Sequence, residues 1–249
     1  MRRLVVLLGL LVALGIAAPA EASVPSWFPT RLTHVGNAQQ LLVVVGTGGT
    51  YATLHAYQRE EPGWREVVPP MAARIGYGGW AWADRRVQDT GTTPAGTFTL
   101  TEAFGLAADP GAQLPYRRVG RNDYWVGDRR DRRTYNLWEP AAGTGRTWRT
   151  GQSERLSSFP VQYAYAVVID FNRPAPPTVV WDPRHSEFVT SRPSVAGRGS
   201  AIFLHVNGRG STAGCVSVTR GHLIGILHWL DPAGHPRIVM APLADVDRA

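Results

Sequence analysis

The chain has 249 residues, one cysteine and a formal net charge of +7, and all 26 of its basic side chains are arginine. That length suits a single β-rich domain with a sizeable core, and a lone cysteine excludes an internal disulfide. The arginines are scattered, with Arg129, Arg130, Arg132 and Arg133 the only dense cluster; nucleic-acid recognition is therefore disfavoured, and attraction to anionic wall polymers or a membrane surface is the better use of the charge.

The N-terminus places Arg2 and Arg3 before an apolar run from Leu4 to Ala18 and ends on Ala20-Glu21-Ala22. This is the plan of a secretory signal peptide over residues 1–22, and the run falls short of the roughly 20 apolar residues of a spanning helix. Residues 23–249 are then expected to form one domain, secreted or held in the cell envelope, without stable membrane insertion. An uncleaved N-terminal anchor is the alternative. Nothing in the sequence fixes an oligomeric state.

Strand signals dominate the remainder of the chain. Leu41–Val45 and Tyr51–Gln58 flank GTGGT and read as a hairpin, since a phosphate loop would need the Walker lysine. Further strands are predicted over Trp64–Val68, Thr97–Thr101, Ala166–Asp170, Thr178–Trp181, Ser200–Val206, Cys215–Val218 and Arg237–Ala241. Thr92–Phe98 (TTPAGTF) reads as structural, with Pro94 fixing a backbone angle and Gly96 permitting a turn into the strand at Phe98. The stretch from Gly105 to Leu156 reads as one long loop, rich in Arg, Gly and aromatics, and is expected to cover the cleft at Cys215. One helix is predicted after Thr219, with Leu223, Ile226, Leu227 and Leu230 on one face and a stop at Asp231-Pro232.

A single thiol in an oxidising space can be a packed hydrophobe, an intermolecular partner or a reactive group. In GSAIFLHVNGRGSTAGCVSV a strand ends near His205, a Gly-rich loop comes next, and Gly214-Cys215 opens the next strand. Imidazole is the proton acceptor that a thiol needs to become a nucleophile at neutral pH, so His205 is the candidate base; its action should bring the Cys215 thiol below the free value of about 8.5. Without a side chain at Gly214, the N–H groups of Gly214 and Cys215 can approach an acyl carbonyl, and Ser211 and Thr212 offer hydroxyls. A satisfied core histidine and an inert thiol would give the same letters, but they are harder to hold together when both residues share one loop. His222 and His228 lack the i, i+4 spacing of a helical zinc pair, so no metal site is read.

These residues resemble the active-site signature of the YkuD-type L,D-transpeptidase catalytic domain, a strand His followed after a loop by Ser or Thr, His, Gly and Cys. Here they are His205, Thr212, Ala213, Gly214 and Cys215. TTPAGTF resembles the family's Thr-Pro-x-Gly-x-Phe segment, and DYWVGD, TYNLW and VVIDFN resemble a secreted bacterial branch. The resemblance implies a mainly β fold, a mixed sandwich-like sheet with a short helix after the cysteine. It implies an acyl-enzyme on Cys215 with His205 as base, formed from peptidoglycan stem peptides with release of D-alanine and needing neither metal nor organic cofactor. The N–H groups of Ala213, Gly214 and Cys215 would line the oxyanion hole, the Val206 carbonyl would orient His205, and a carbapenem would acylate the cysteine. Ser211, Thr212 and Ser217 are the expected substrate contacts.

Three positions depart from the signature: its second His is Ala213, its Arg two residues after the nucleophile is Ser217, and the His-to-Cys interval is short. These departures bear on acceptor identity. A hydrolase of the same fold, trimming stems, and a catalytically silent wall-binding module are the alternatives.

Overall fold

The computed structural model describes residues 29–141 and 145–249. The expected signal peptide lies outside them, and no helix among the described residues is long and apolar enough to cross a membrane.

The chain forms β1 (Gln40–Gly48), β2 (Tyr51–Glu60), β3 (Gly63–Glu66), β4 (Met71–Arg74), β5 (Trp80–Trp82), β6 (Thr93–Gly105), β7 (Tyr116–Arg118), β8 (Asp123–Trp125), β9 (Trp138–Pro140), β10 (Glu154–Arg155), β11 (Ala166–Ile169), β12 (Val179–Asp182), β13 (Glu187–Thr190), β14 (Phe203–Val206), β15 (Val216–Val218), α1 (Arg220–Trp229) and β16 (Arg237–Pro242). The mainly β, mixed-sheet expectation holds. In the principal sheet the order runs β1-β16-β6-β11-β14-β15-β4-β2, and β2 pairs back to β1, so these strands close on themselves; β3 hangs from β2, and β5 and β7 flank β6.

Closure gives each strand an inside and an outside, because successive side chains alternate faces. Leu42 and Val44, Leu54, Leu100, Val167, Leu204, Val216, Ile238 and Met240 point into one shared core, which Leu223, Ile226, Leu227 and Leu230 of the helix region also enter. The intervening residues face outward into two further clusters. Leu41, Val43, Val239 and Ala241 form one; Phe104, Ala166, Val168, Phe203 and Cys215 form the other, with Trp125, Leu156 and Tyr163 laid over them. The candidate nucleophile is thus on the outer face of the closed sheet, roofed by residues from the segment between β6 and β11.

Two local expectations change. Gly105–Leu156 is not one loop: β7 joins β6, and β10, β8 and β9 make a separate three-stranded sheet. Strands of two or three residues carry too few positions for a period-2 pattern to show. Nor does a turn precede Phe98, because β6 runs unbroken from Thr93, pairing with β5 at Pro94 and with β16 at Gly96. Gly96 instead holds a φ of +150° within the strand, which only glycine adopts readily.

Candidate active site

β14 and β15 are adjacent and parallel, with Leu204 opposite Val216 and His205 opposite Ser217. Parallel neighbours ordinarily need a crossover of a dozen or more residues, usually through a helix. Here residues 207–215 make the crossing as a loop stitched to the chain after β4: Thr212 N–H donates to Ile75 O at 3.0 Å, and Tyr77 N–H donates to Thr212 O at 2.9 Å. The Thr212 hydroxyl donates to Cys215 O at 2.6 Å and accepts from Gly214 N–H at 3.1 Å. It fixes the turn into the nucleophile. Because Gly214 N–H is engaged there, the expected oxyanion donors reduce to the N–H groups of Ala213 and Cys215.

Register puts Phe203, His205, Cys215 and Ser217 on one face. His205 is buried, and its Nδ1 lies 2.8 Å from Val206 O. A carbonyl only accepts, so Nδ1 carries the proton and Nε2 keeps the lone pair that a base needs. The Tyr163 ring meets the imidazole edge-on at 5.6 Å between centroids. Ser217 is 0% exposed, and its hydroxyl has no hydrogen-bond partner; it is buried beside His205 on that same outer face and does not reach the cavity wall, so it is not the expected substrate contact. Ser211, Thr212 and Ala213 do reach that wall.

Cys215 is 7% exposed. Its thiol donates to Ala201 O at 3.3 Å and accepts from Phe203 N–H at 3.4 Å. Burial, with the negative field of Glu154 adding, pushes the thiol up to about 12, while Phe203 N–H and the Arg86 guanidinium pull the other way. Burial also pushes His205 down to about 4, against the Val206 hydrogen bond. The expectation of a lowered thiol pKa is corrected: enclosure outweighs the neighbours, and the resting pair is neutral thiol and neutral imidazole.

Sequence reasoning missed three contributors. Arg86 is 5% exposed, its Nε donating to Thr92 O at 2.7 Å and its Nη1 to Arg198 O at 3.1 Å. A Cβ added to Gly214 would fall 2.7 Å from Arg86 Nη2 and 2.8 Å from Thr92 O, at a φ of +137°. The missing side chain therefore admits a cation beside the nucleophile. Arg86 forms no salt bridge among the described residues, and burial lowers its pKa while the Cys215 charge opposes that. In sequence it looks like part of a solvated charge run, Asp84-Arg85-Arg86.

The second is Asn136, where the three branch-specific stretches converge. It accepts from Trp125 Nε1 at 2.7 Å and from Ala201 N–H at 3.2 Å, and donates to Phe171 O at 3.1 Å and Asn172 O at 2.8 Å. It thereby holds the residue whose carbonyl receives the thiol proton. The third is Glu154, on the cavity wall, with the Tyr163 hydroxyl donating to its carboxyl. Its spacing to the motif carries no signal.

Cys215, His205 and Arg86 open on a cavity of about 810 Å³ walled by the 208–213 loop, Tyr77, Phe159, Gln162 and the Gly151–Arg155 strip. The expected covering of the Cys215 cleft is thus made by the C-terminal end of the 105–156 segment, with Gly127 reaching in from farther back. The histidine–carboxylate group Asp182, His185 and Glu187 is already engaged, Asp182 with Arg133 and His185, and Glu187 with Thr147.

A tautomer-fixed histidine on β14 and a cysteine just ahead of β15 line one cavity, and these are the residue types that cysteine-dependent acyl transfer requires. The family model described as L,D-transpeptidase catalytic domain, YkuD, matches residues 36–239, and the chain belongs to this family, whose members act on peptidoglycan peptides. No curated protein and no solved structure matches the chain.

Proposed function

We propose that this protein is an exported L,D-transpeptidase that acylates Cys215 with a peptidoglycan stem peptide in the cell envelope and passes the acyl group to an acceptor. The observation that carries the reading is the fixed tautomer of His205, which leaves Nε2 as acceptor on the same sheet face as the one thiol of the chain.

The resting pair is neutral, so attack and proton transfer go together. As Sγ bonds to the carbonyl carbon ahead of D-alanine, its proton passes to His205 Nε2, and negative charge grows on the carbonyl oxygen. The N–H groups of Ala213 and Cys215 meet that charge, with the Arg86 guanidinium behind Gly214 adding to the field; such donors are worth about 10²–10³ in rate apiece. Cleavage of the C–N bond then returns the proton from His205 to the leaving amine, giving a thioester and free D-alanine. Enclosure strengthens each of these interactions. The signal-like N-terminus supports export.

The test is a single-turnover reaction of the purified protein with a tetrapeptide stem, followed by intact mass and chromatography. One adduct on Cys215 with equimolar D-alanine is expected, and Cys215→Ser should give neither. Crosslinked dimer or exchanged D-amino acid marks transfer, whereas shortened peptide alone assigns the hydrolase. Binding to sacculi without turnover, unaffected by Cys215→Ala, would overturn the enzymatic reading.

A further inference from the structure

Five charged side chains line the cavity: Arg86, Asp89, Glu154, Arg155 and Arg209. Arg86 lies behind Gly214, and Arg86 and Glu154 are the two close enough to change the protonation of Cys215. Arg86 favours the reaction's first half, since it stabilises negative charge on sulfur and on the acyl oxygen. Glu154 opposes it, because its carboxylate makes the thiol harder to ionise. The Tyr163 hydroxyl binds Oε1 only, and Glu154 forms no salt bridge among the described residues. Glu154 is half-buried on the cavity wall, and a carboxylate partly withdrawn from water without a cation is costly. The same Tyr163 that holds it also lies against His205.

Resting on the transpeptidase reading, we infer that Glu154 receives the amine of the acyl acceptor as an ammonium ion and takes its proton. An amine at neutral pH is protonated and cannot attack, so the second half-reaction must first remove a proton. Glu154 pairs with R–NH3⁺ and takes one proton, leaving R–NH2 and a neutral carboxyl. The amine nitrogen then bonds to the thioester carbon as the C–S bond breaks. Its second proton passes through His205 to Sγ, restoring the thiol, and the third stays on the new amide. Glu154 afterwards releases its proton to solvent through the cavity. Burial holds this carboxyl up to about 7, with the Tyr163 hydrogen bond opposing, where a base is half available at neutral pH.

The experiment uses the purified full chain, a tetrapeptide stem as donor and two acceptors: D-methionine, which arrives charged, and hydroxylamine, which is uncharged at neutral pH. Glu154→Gln keeps an acceptor for Tyr163. It should speed D-alanine release, since a charge that opposes ionisation of the thiol is removed, while the ratio of transfer to D-methionine over transfer to hydroxylamine falls about a hundredfold, the scale of general-base assistance. Glu154→Asp should recover part of the loss. An unchanged ratio would overturn the inference. The unmutated protein gives an answer without any substitution: relative to a free thioester of the same peptide, it should favour D-methionine over hydroxylamine by at least about tenfold, and an unchanged preference would overturn the assignment. Failure of the unmutated protein to release D-alanine would instead bring down the transpeptidase reading, and this inference with it.

Discussion

Cys215 should be slow toward small alkylating reagents and fast toward its substrate, and the gap follows from its surroundings. Unfolded, it is an ordinary thiol titrating near 8.5; folded, burial holds it at about 12. At neutral pH the native thiolate is then scarcer by roughly three thousandfold. Sulfur nucleophilicity rises with pKa at a slope of about 0.4–0.5, returning a factor of roughly thirty. Iodoacetamide should therefore modify the native protein roughly a hundredfold more slowly than the unfolded chain. The assay is the rate of carbamidomethylation by intact mass, native against urea-unfolded, with free cysteine correcting for the denaturant. Because the raised pKa lies above the accessible range, the logarithm of the native rate should climb linearly through pH 9 without the plateau that unfolded protein shows. Native modification within about tenfold of the unfolded rate, or a plateau near neutral pH, would mean a preformed thiolate and would refute the neutral-pair argument.

Arg86→Met should slow single-turnover D-alanine release by about 10²–10³ with Arg86→Lys recovering part of it; equal activity in the Met variant would remove the guanidinium from the mechanism. Thr212→Val deletes hydrogen bonds to Cys215 O and from Gly214 N–H, and should cost about 1–3 kcal/mol by urea melts while slowing acylation of the protein that remains folded. Glu139 is 0% exposed, and burial holds it up to about 9 despite Phe188 N–H donating to both carboxylate oxygens. It folds protonated, so its contribution is complete below its ordinary value of 4.5 and drains as pH rises toward 9, by up to about 1.4 kcal/mol per pH unit. Glu139→Gln should raise the melting temperature at pH 8 and flatten its decline above pH 5, and an unchanged pH profile in calorimetry would contradict this.

What could be read in the sequence was whatever a local pattern encodes. The apolar runs at Leu41–Val45 and Ala166–Asp170, the cap at Thr219 and the Leu223–Leu230 stripe all became the expected elements. That His205 and Cys215 would come to one cavity was legible because one short segment carries both. β4 and β5 escaped notice, since Met71–Arg74 and Trp80–Trp82 are too short for an alternating pattern to stand out. Arg86 and Glu154 were invisible for a different reason. Each is an ordinary surface letter that distant chain segments enclose, and enclosure also reversed the direction assigned to the thiol. A neighbouring base can be guessed from sequence, whereas the dielectric around it cannot.

Gly76, Gly91 and Gly214 meet at one point: a Cβ on Gly76 would fall 2.0 Å from Gly91 O and 3.1 Å from Gly214 Cα. Any single-base change at the first two positions of a glycine codon adds a side chain or ends the chain. Three codons widely separated in the gene therefore share one intolerance, and a lesion at any of them should produce the same phenotype. At Gly76 compensation cannot come from shrinking a neighbour, because the atoms it would meet are backbone of Gly91 and Gly214; at Gly91 and Gly214 the obstacles include the Tyr77 ring and the Arg86 guanidinium, which are themselves part of the cavity wall. In a random mutant library, inactive clones should concentrate at these three codons even though none of the three residues supplies a reacting atom.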